Sequence, residues 1–128
     1  MKPKILIIED NEQNLYMISY LLENNNYEVI KAYNGKDGIE LAIEHNPDAV
    51  ILDIQLPEMD GYEVARELRK IEILKDVLII VFTSYAMVGD KEKALASGAD
   101  GYIDKPIDTD SFISQLEGYL LKKKSFDD

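Results

Sequence analysis

The stretch Ala49-Val50-Ile51-Leu52-Asp53 sets four apolar residues in front of a carboxylate. A run this short and this apolar is typical of a strand that is buried on both faces of a sheet. Three further apolar runs also end in polar residues, namely Ile5–Ile8 before Glu9-Asp10, Leu78–Phe82 before Thr83, and Tyr102-Ile103 before Asp104-Lys105. If the four runs are parallel strands, their polar endings meet at one edge of the sheet, where open α/β sheets bind ligands.

Strand-like and helix-like patterns alternate five times along the chain, which predicts a parallel sheet with helices on both faces. Right-handed crossovers leave few topologies for such a chain. We expect an α/β fold of the flavodoxin-like, doubly wound kind, with five parallel strands in the order 2-1-3-4-5 and five flanking helices. In that order the first and third strands are neighbours where the winding reverses, and this is the expected ligand crevice.

The expected elements follow from apolar periodicity and from capping residues. Asn11 and Asn34 are candidate helix N-caps, and Gly98 is a candidate C-cap. The second helix is expected to turn Ile39, Ala42 and Ile43 inward. We place strands near 4–8, 27–32, 49–52, 78–82 and 101–103, and helices after 11, after 34, near 62–71, near 90–97 and near 108–122, the last with Phe112, Leu116, Tyr119 and Leu120 buried.

Length and composition limit the classes of protein to which the chain can belong. The 128 residues suit one domain, 1–128, whose last few residues we expect to fray. The formal charge of −11 argues against direct binding to nucleic acid or to an anionic membrane. Without cysteine the chain has no disulfide or thiolate metal site, and with no apolar run of membrane-spanning length the expected location is the cytoplasm.

The polar strand endings form a chemically coherent set. Crowded carboxylates raise one another's pKa unless a cation compensates, and oxygen ligands suit Mg²⁺. Asp53 is both a neighbour of that metal and a candidate nucleophile, because a carboxylate can attack a phosphoryl group. The Lys105 ammonium and the Thr83 hydroxyl could then pair with phosphoryl oxygens, which carry the charge in phosphoryl transfer.

Four motifs together resemble the response-regulator receiver domain of two-component signalling, and the resemblance spans essentially the whole chain. Their order and spacing agree with that family. The motifs are the acidic pair Glu9-Asp10, Asp53 within Ile51–Gly61 (Ile-Leu-Asp-Ile-Gln-Leu-Pro-Glu-Met-Asp-Gly), Thr83 within Val-Phe-Thr-Ser, and Asp104-Lys105-Pro106.

The resemblance implies that Asp53 accepts a phosphoryl group from a phosphohistidine on a sensor histidine kinase or a phosphotransfer protein. It implies that Glu9, Asp10, Asp53 and the backbone carbonyl of Gln55 hold Mg²⁺, with Mn²⁺ as a possible substitute. Such a domain is a signalling module rather than an enzyme, since it catalyses only its own phosphorylation and slow dephosphorylation.

Four further roles rest on the same resemblance. Tyr102 corresponds to the switch aromatic, which rotates inward when Thr83 is drawn toward the phosphate. The Lys105-Pro106 bond is expected to be cis. Gln55 and Tyr85 tune the lifetime of the acyl phosphate, and whether the amide orients a water or the ring obstructs it stays open.

The resemblance also implies partners. A kinase helical bundle would dock near the first helix and the Asp53 loop. The fourth helix, fifth strand and fifth helix would form the signalling face for an unknown downstream protein or a homodimer. Whether the chain is a stand-alone receiver or a part of a longer regulator stays open.

Other classes fit less well. A small Mg²⁺-dependent aspartyl-phosphate phosphatase of the haloacid-dehalogenase type would carry a second Asp where this chain has Gln55. A flavodoxin would need a Ser/Thr/Gly-rich phosphate loop after the first strand, and no nucleotide-binding P-loop occurs. A pseudo-receiver, which binds partners without phosphorylation, ranks low because every expected site residue is present.

Overall fold

The computed structural model of the chain describes residues 2–83, 90–105 and 107–127. Five parallel strands form one sheet in the order β2-β1-β3-β4-β5, as predicted. The strands are β1 Lys4–Ile8, β2 Glu28–Ala32, β3 Ala49–Asp53, β4 Leu78–Thr83 and β5 Gly101–Asp104. The helices are α1 Glu12–Glu23, α2 Gly35–His45, α3 Gly61–Lys70, α4 Asp90–Ala96 and α5 Phe112–Asp127, with a 3₁₀ turn at Glu72–Leu74.

The register of the strands aligns their polar endings. Ile8 of β1 pairs with Leu52 of β3, so that the next residues of the two strands, Glu9 and Asp53, lie side by side. Asp53 in turn pairs with Phe82 of β4, and Thr83 pairs with Asp104 of β5. The convergence that the sequence predicts therefore follows directly from the backbone hydrogen bonding of the sheet.

Alternate residues of the central strands fill two cores, one on each face of the sheet. On one face Val50, Leu52 and Val81 pack with residues of α2, α3 and α4. On the other face Ile51 and Phe82 pack with residues of α1 and α5. Burial on both faces explains why β1, β3 and β4 are continuously apolar rather than alternating.

Three helices begin at side-chain caps. Asn11 and Asn34 accept hydrogen bonds from backbone N–H groups three residues later, which confirms both predicted caps. Asp60 caps α3 in the same way. Among the described residues none of the helices is long and apolar enough to cross a membrane.

The inward placement of Ile43 is wrong, since its side chain is 46% exposed. Helix α2 instead buries its small residues Gly35, Gly38 and Ala42. A Cβ atom at Gly38 would lie 2.4 Å from Cδ1 of Ile8. This close approach rotates the larger Ile43 toward solvent.

Helix α5 is displaced along the sequence relative to the prediction. It begins at Phe112 rather than near residue 108, and residues 109–111 form a turn in which the Asp108 carboxylate accepts from the N–H of Asp110. It also continues to Asp127, beyond the predicted end near residue 122. No proline or glycine follows Lys122 to end it.

The guanidinium of one arginine joins several segments near the amino ends of β4 and β5, opposite the carboxylate cluster. Arg69, near the end of α3, donates from Nε to the Gly98 carbonyl at 2.8 Å and from Nη1 to the Val77 carbonyl at 2.6 Å. Its Nη2 pairs with Asp100 Oδ2 at 2.7 Å, and the same oxygen accepts from the N–H of Ile79. The guanidinium thus joins α3, the start of β4 and the α4–β5 loop.

Replacing this arginine tests how much it stabilises the fold. We expect Arg69→Met to lower the free energy of unfolding by about 2 to 4 kcal/mol, because it leaves half-buried carbonyls and Asp100 without their charged donor. Lys70→Met is the matched control, since Lys70 is exposed and its pair with Glu67 is worth little. Equal urea unfolding curves for the two variants would contradict the assignment.

Candidate functional site

Three carboxylates meet at the carboxyl edge of β1 and β3. One oxygen each of Glu9, Asp10 and Asp53 lies within 4.8 Å of the others. Glu9 and Asp53 are buried, whereas Asp10 is exposed, so the cluster opens to solvent on one side. The structure therefore brings together the three carboxylates that the sequence predicts.

Lys105 supplies positive charge to the cluster. Its Nζ lies 3.3 Å from Asp53 Oδ1 and 3.5 Å from Glu9 Oε1, and its side chain is only 14% exposed. The backbone N–H of Lys105 donates to the carbonyl of Thr83 at 2.8 Å, which fixes the β5–α5 loop to the end of β4. The ammonium is thus held above the carboxylates from a rigid anchor.

The backbone after Asp53 is held in place by the start of α3. The N–H of Gln55 donates to Asp53 Oδ1 at 3.1 Å, and the N–H of Gly61 donates to the Ile54 carbonyl at 2.9 Å. A Cβ atom at Gly61 would lie 2.5 Å from the Asp53 carbonyl oxygen, so only glycine allows this approach. Gln55 itself is exposed and adjacent to the cluster.

Glu9 is the most perturbed group of the site. Its side chain is fully buried, and burial is the main cause that raises its pKa to about 8, with the neighbouring Asp53 carboxylate adding to the rise. The Asn14 amide and the Lys105 ammonium act in the opposite direction. A proton on Glu9 therefore relieves part of the repulsion at this edge in the absence of a metal ion.

Asn14 is a site residue that the sequence analysis missed. Its Nδ2 donates to Glu9 Oε1 at 2.7 Å, while Glu9 Oε2 is buried without a hydrogen-bond partner among the described residues. Asn14 is the third residue of α1 after the Asn11 cap, a position from which side chains reach back over the helix start. The sequence signal that could have indicated this role is an amide side chain at the third position of the helix.

Thr83 and Tyr102 lie beside the cluster rather than inside it. Thr83 is buried at the end of β4, one residue past the partner of Asp53. Tyr102 is half-buried on β5 and packs against the core formed with α3 and α4. Its backbone N–H points to the Tyr119 hydroxyl, 3.4 Å away. The predicted residues Tyr85 and Pro106 lie outside the described residues.

The donor set fits a hard divalent cation. The three carboxylates offer oxygen ligands, one of them the buried Glu9 Oε2 that lacks a partner within the described chain. Mg²⁺ binds such oxygens while it keeps several waters, and the exposed side at Asp10 leaves room for them. The arrangement can hold a cation, and the Asp53 carboxylate faces an ammonium that could pair with an incoming anion.

The raised pKa of Glu9 predicts a pH dependence of stability without metal. Between about pH 4.5, where Glu9 ionises in the unfolded chain, and about pH 8, the folded state binds more protons, so stability falls as the pH rises. This contribution is at most about 1.4 kcal/mol per pH unit. Urea unfolding in EDTA at several pH values measures it.

Glu9→Gln should flatten this pH dependence, because the amide does not titrate. Glu12→Gln removes an exposed carboxylate of α1 and should keep the wild-type slope. Identical slopes in wild type and Glu9→Gln would show that Glu9 is not the responsible group.

Several known proteins are similar to this chain in sequence and in structure. The family model of the response regulator receiver domain matches residues 5–117. The polar-differentiation response regulator DivK of Brucella anthropi is 40% identical over 120 residues, which cover 94% of this chain and 98% of DivK.

Two solved structures share the fold. The chemotaxis protein CheY4 of Vibrio cholerae has a TM-score of 0.89 at 26% identity, covering 93% of this chain and 99% of its own. The receiver domain of the sensor histidine kinase PA1611 from Pseudomonas aeruginosa, with a magnesium ion coordinated in its active site cleft, has a TM-score of 0.86 at 32% identity, covering 94% and 98%. The present chain is therefore a member of the response regulator receiver domain family.

Proposed function

We propose that this receiver accepts a phosphoryl group on Asp53 from the phosphohistidine of a sensor histidine kinase or a phosphotransfer protein. The observation that carries the proposal is the Lys105 ammonium 3.3 Å from Asp53 Oδ1 at the mouth of a three-carboxylate cluster. A buried carboxylate beside a fixed cation and an open, solvent-facing side suits attack on an anionic donor.

The transfer exchanges one phosphorus bond for another. An Asp53 carboxylate oxygen attacks phosphorus, an O–P bond forms, and the N–P bond to the donor imidazole breaks with its electron pair leaving on nitrogen. Lys105 pairs with the oxygens of the transferred group, and the Thr83 hydroxyl donates to another of them. Later attack of water at phosphorus forms a new O–P bond, breaks the bond to Asp53 and returns the carboxylate and inorganic phosphate. Because this dephosphorylation is slow, the domain would act as a signalling module and not as a turnover enzyme.

A divalent cation completes the proposal. Glu9, Asp10, Asp53 and the Gln55 backbone carbonyl would hold Mg²⁺, or Mn²⁺ in its place, and the cation would neutralise charge on the phosphoryl oxygens. Asn14 supports this role, because its hydrogen bond occupies Glu9 Oε1 and leaves Oε2 for a ligand bond. Such outer contacts orient metal ligands.

We infer that Thr83 and Tyr102 transmit the phosphorylated state. Side chains alternate along a strand, so Thr83 shares a face of the sheet with Val81, the pairing partner of Tyr102. Movement of Thr83 toward a phosphoryl group would open space on the face where Tyr102 is half-buried. A local charge change would thereby bias the position of an aromatic ring at the sheet edge.

Two surfaces would serve the partners. The donor protein would approach α1 and the Asp53 loop, where the exposed rings of Tyr16 and Tyr20 stack with centroids 6.4 Å apart. A downstream protein or a second copy of the chain would bind α4, β5 and α5, next to Tyr102. The charge of −11 makes a protein the better partner than nucleic acid.

An acyl-phosphate donor tests the phosphoacceptor directly. With Mg²⁺ and acetyl phosphate, wild type should gain the mass of one phosphoryl group in intact mass spectrometry. Asp53→Asn should gain none, because the amide is not a nucleophile, while Asp76→Asn, which changes an exposed carboxylate, should behave as wild type. A wild type that gains no mass, or an Asp53→Asn variant that gains it equally, would overturn the proposal.

A further inference from the structure

A buried aromatic ring lies directly beneath the site ammonium. The Nζ atom of Lys105 is 4.6 Å from the centroid of the Phe82 ring. Phe82 is fully buried in the core between the sheet and α5, and Lys105 is largely buried as well. An ammonium at this distance over a ring face is attracted by the ring quadrupole, and the attraction grows when both groups are withdrawn from water.

The Phe82 ring attracts the Lys105 ammonium without offering a lone pair as a hydrogen-bond acceptor. Glu9 and Asp53 form ion pairs with the same ammonium, whose Nζ lies 3.5 Å from Glu9 Oε1 and 3.3 Å from Asp53 Oδ1. A phenyl ring offers attraction to the charge but no lone pair, so the N–H groups stay available for oxygens. An aliphatic side chain in its place would fill space without this pull on the charge.

The backbone fixes the ring relative to the nucleophile. Phe82 pairs with Asp53 in the sheet, and its carbonyl accepts from the N–H of Ile54 at 3.2 Å. Thr83, the next residue, accepts from the N–H of Lys105. Phe82 therefore lies between the strand that carries the nucleophile and the loop that carries the cation.

We propose that Phe82 is a positioning residue that holds the Lys105 ammonium over Asp53 by a cation–π contact, ready for the phosphoryl oxygens. The proposal deepens the function proposed above and rests on it. With Leu at this position the ammonium spends less time at Asp53, and phosphorylation slows although the nucleophile is intact.

The kinetic test compares two aromatic truncations in one core. Phe82→Leu should phosphorylate with acetyl phosphate about 2- to 30-fold more slowly than wild type, the range expected for losing one such contact. Phe112→Leu makes the same change in the same core, at a ring for which no such contact with Lys105 is found among the described residues, and should stay within about twofold. In the Lys105→Met background, Phe82→Leu should cause no further loss, whereas a purely structural effect would persist there.

A spectroscopic readout is independent of phosphorylation. The Lys105 ε-methylene protons of the wild type should be shifted upfield by the Phe82 ring current relative to those of exposed lysines such as Lys70. Phe82→Leu should remove this shift. Unshifted wild-type protons would overturn the proposal even if the variant fails to fold, as would equal rates for Phe82→Leu and Phe112→Leu. A wild type with the shift but without phosphorylation would instead overturn the proposed function and leave only the contact between Phe82 and Lys105 in place.

Discussion

The repulsion between two buried carboxylates governs this structure. Glu9 and Asp53 lie side by side because the register of β1 and β3 places them there, and both are withdrawn from water. Burying like charges is costly unless a cation, a proton or hydrogen bonds compensate. All three compensations are built into the site: the Lys105 ammonium, the high pKa of Glu9, and the amide of Asn14.

The rigidity of the sheet makes this arrangement sustainable. Glu9 and Asp53 lie at the ends of strands that are buried on both faces, and the loops are held by backbone hydrogen bonds from Gly61 and Lys105. Such anchoring prevents the carboxylates from moving apart to relieve their repulsion. The free energy stored in the cluster is then available to bind a cation, which would lower the repulsion.

The sequence predicted those features that depend on local pattern. Apolar runs ending in polar residues indicated the strands and the site edge, and Asn11 and Asn34 indicated helix starts, because such runs and caps involve only a few neighbouring residues. The strand order followed from the alternation of strands and helices and from right-handed crossovers. The prediction that Ile43 points inward was wrong because the distance of α2 from the sheet depends on the contact of Gly38 with Ile8, which are far apart in the sequence.

Side-chain partners across the fold were beyond the same reasoning. In the sequence Arg69 is an ordinary cation of a helix end, and only the tertiary structure brings its guanidinium to the carbonyls of Val77 and Gly98. Asn14 and Phe82 likewise gain their roles from the positions of Glu9 and Lys105. These contacts depend on rotamers and on the relative placement of elements, which periodicity does not specify.

In the function proposed above, a divalent cation compensates the excess negative charge at this edge. The most direct measurement is the urea midpoint of unfolding at pH 8 with and without Mg²⁺, since a ligand of the folded state alone stabilises it. We expect Mg²⁺ to raise the midpoint of wild type and of Asp76→Asn, and Asp10→Asn to lose most of this increase. An unchanged midpoint in wild type, or an equal increase in Asp10→Asn, would contradict it.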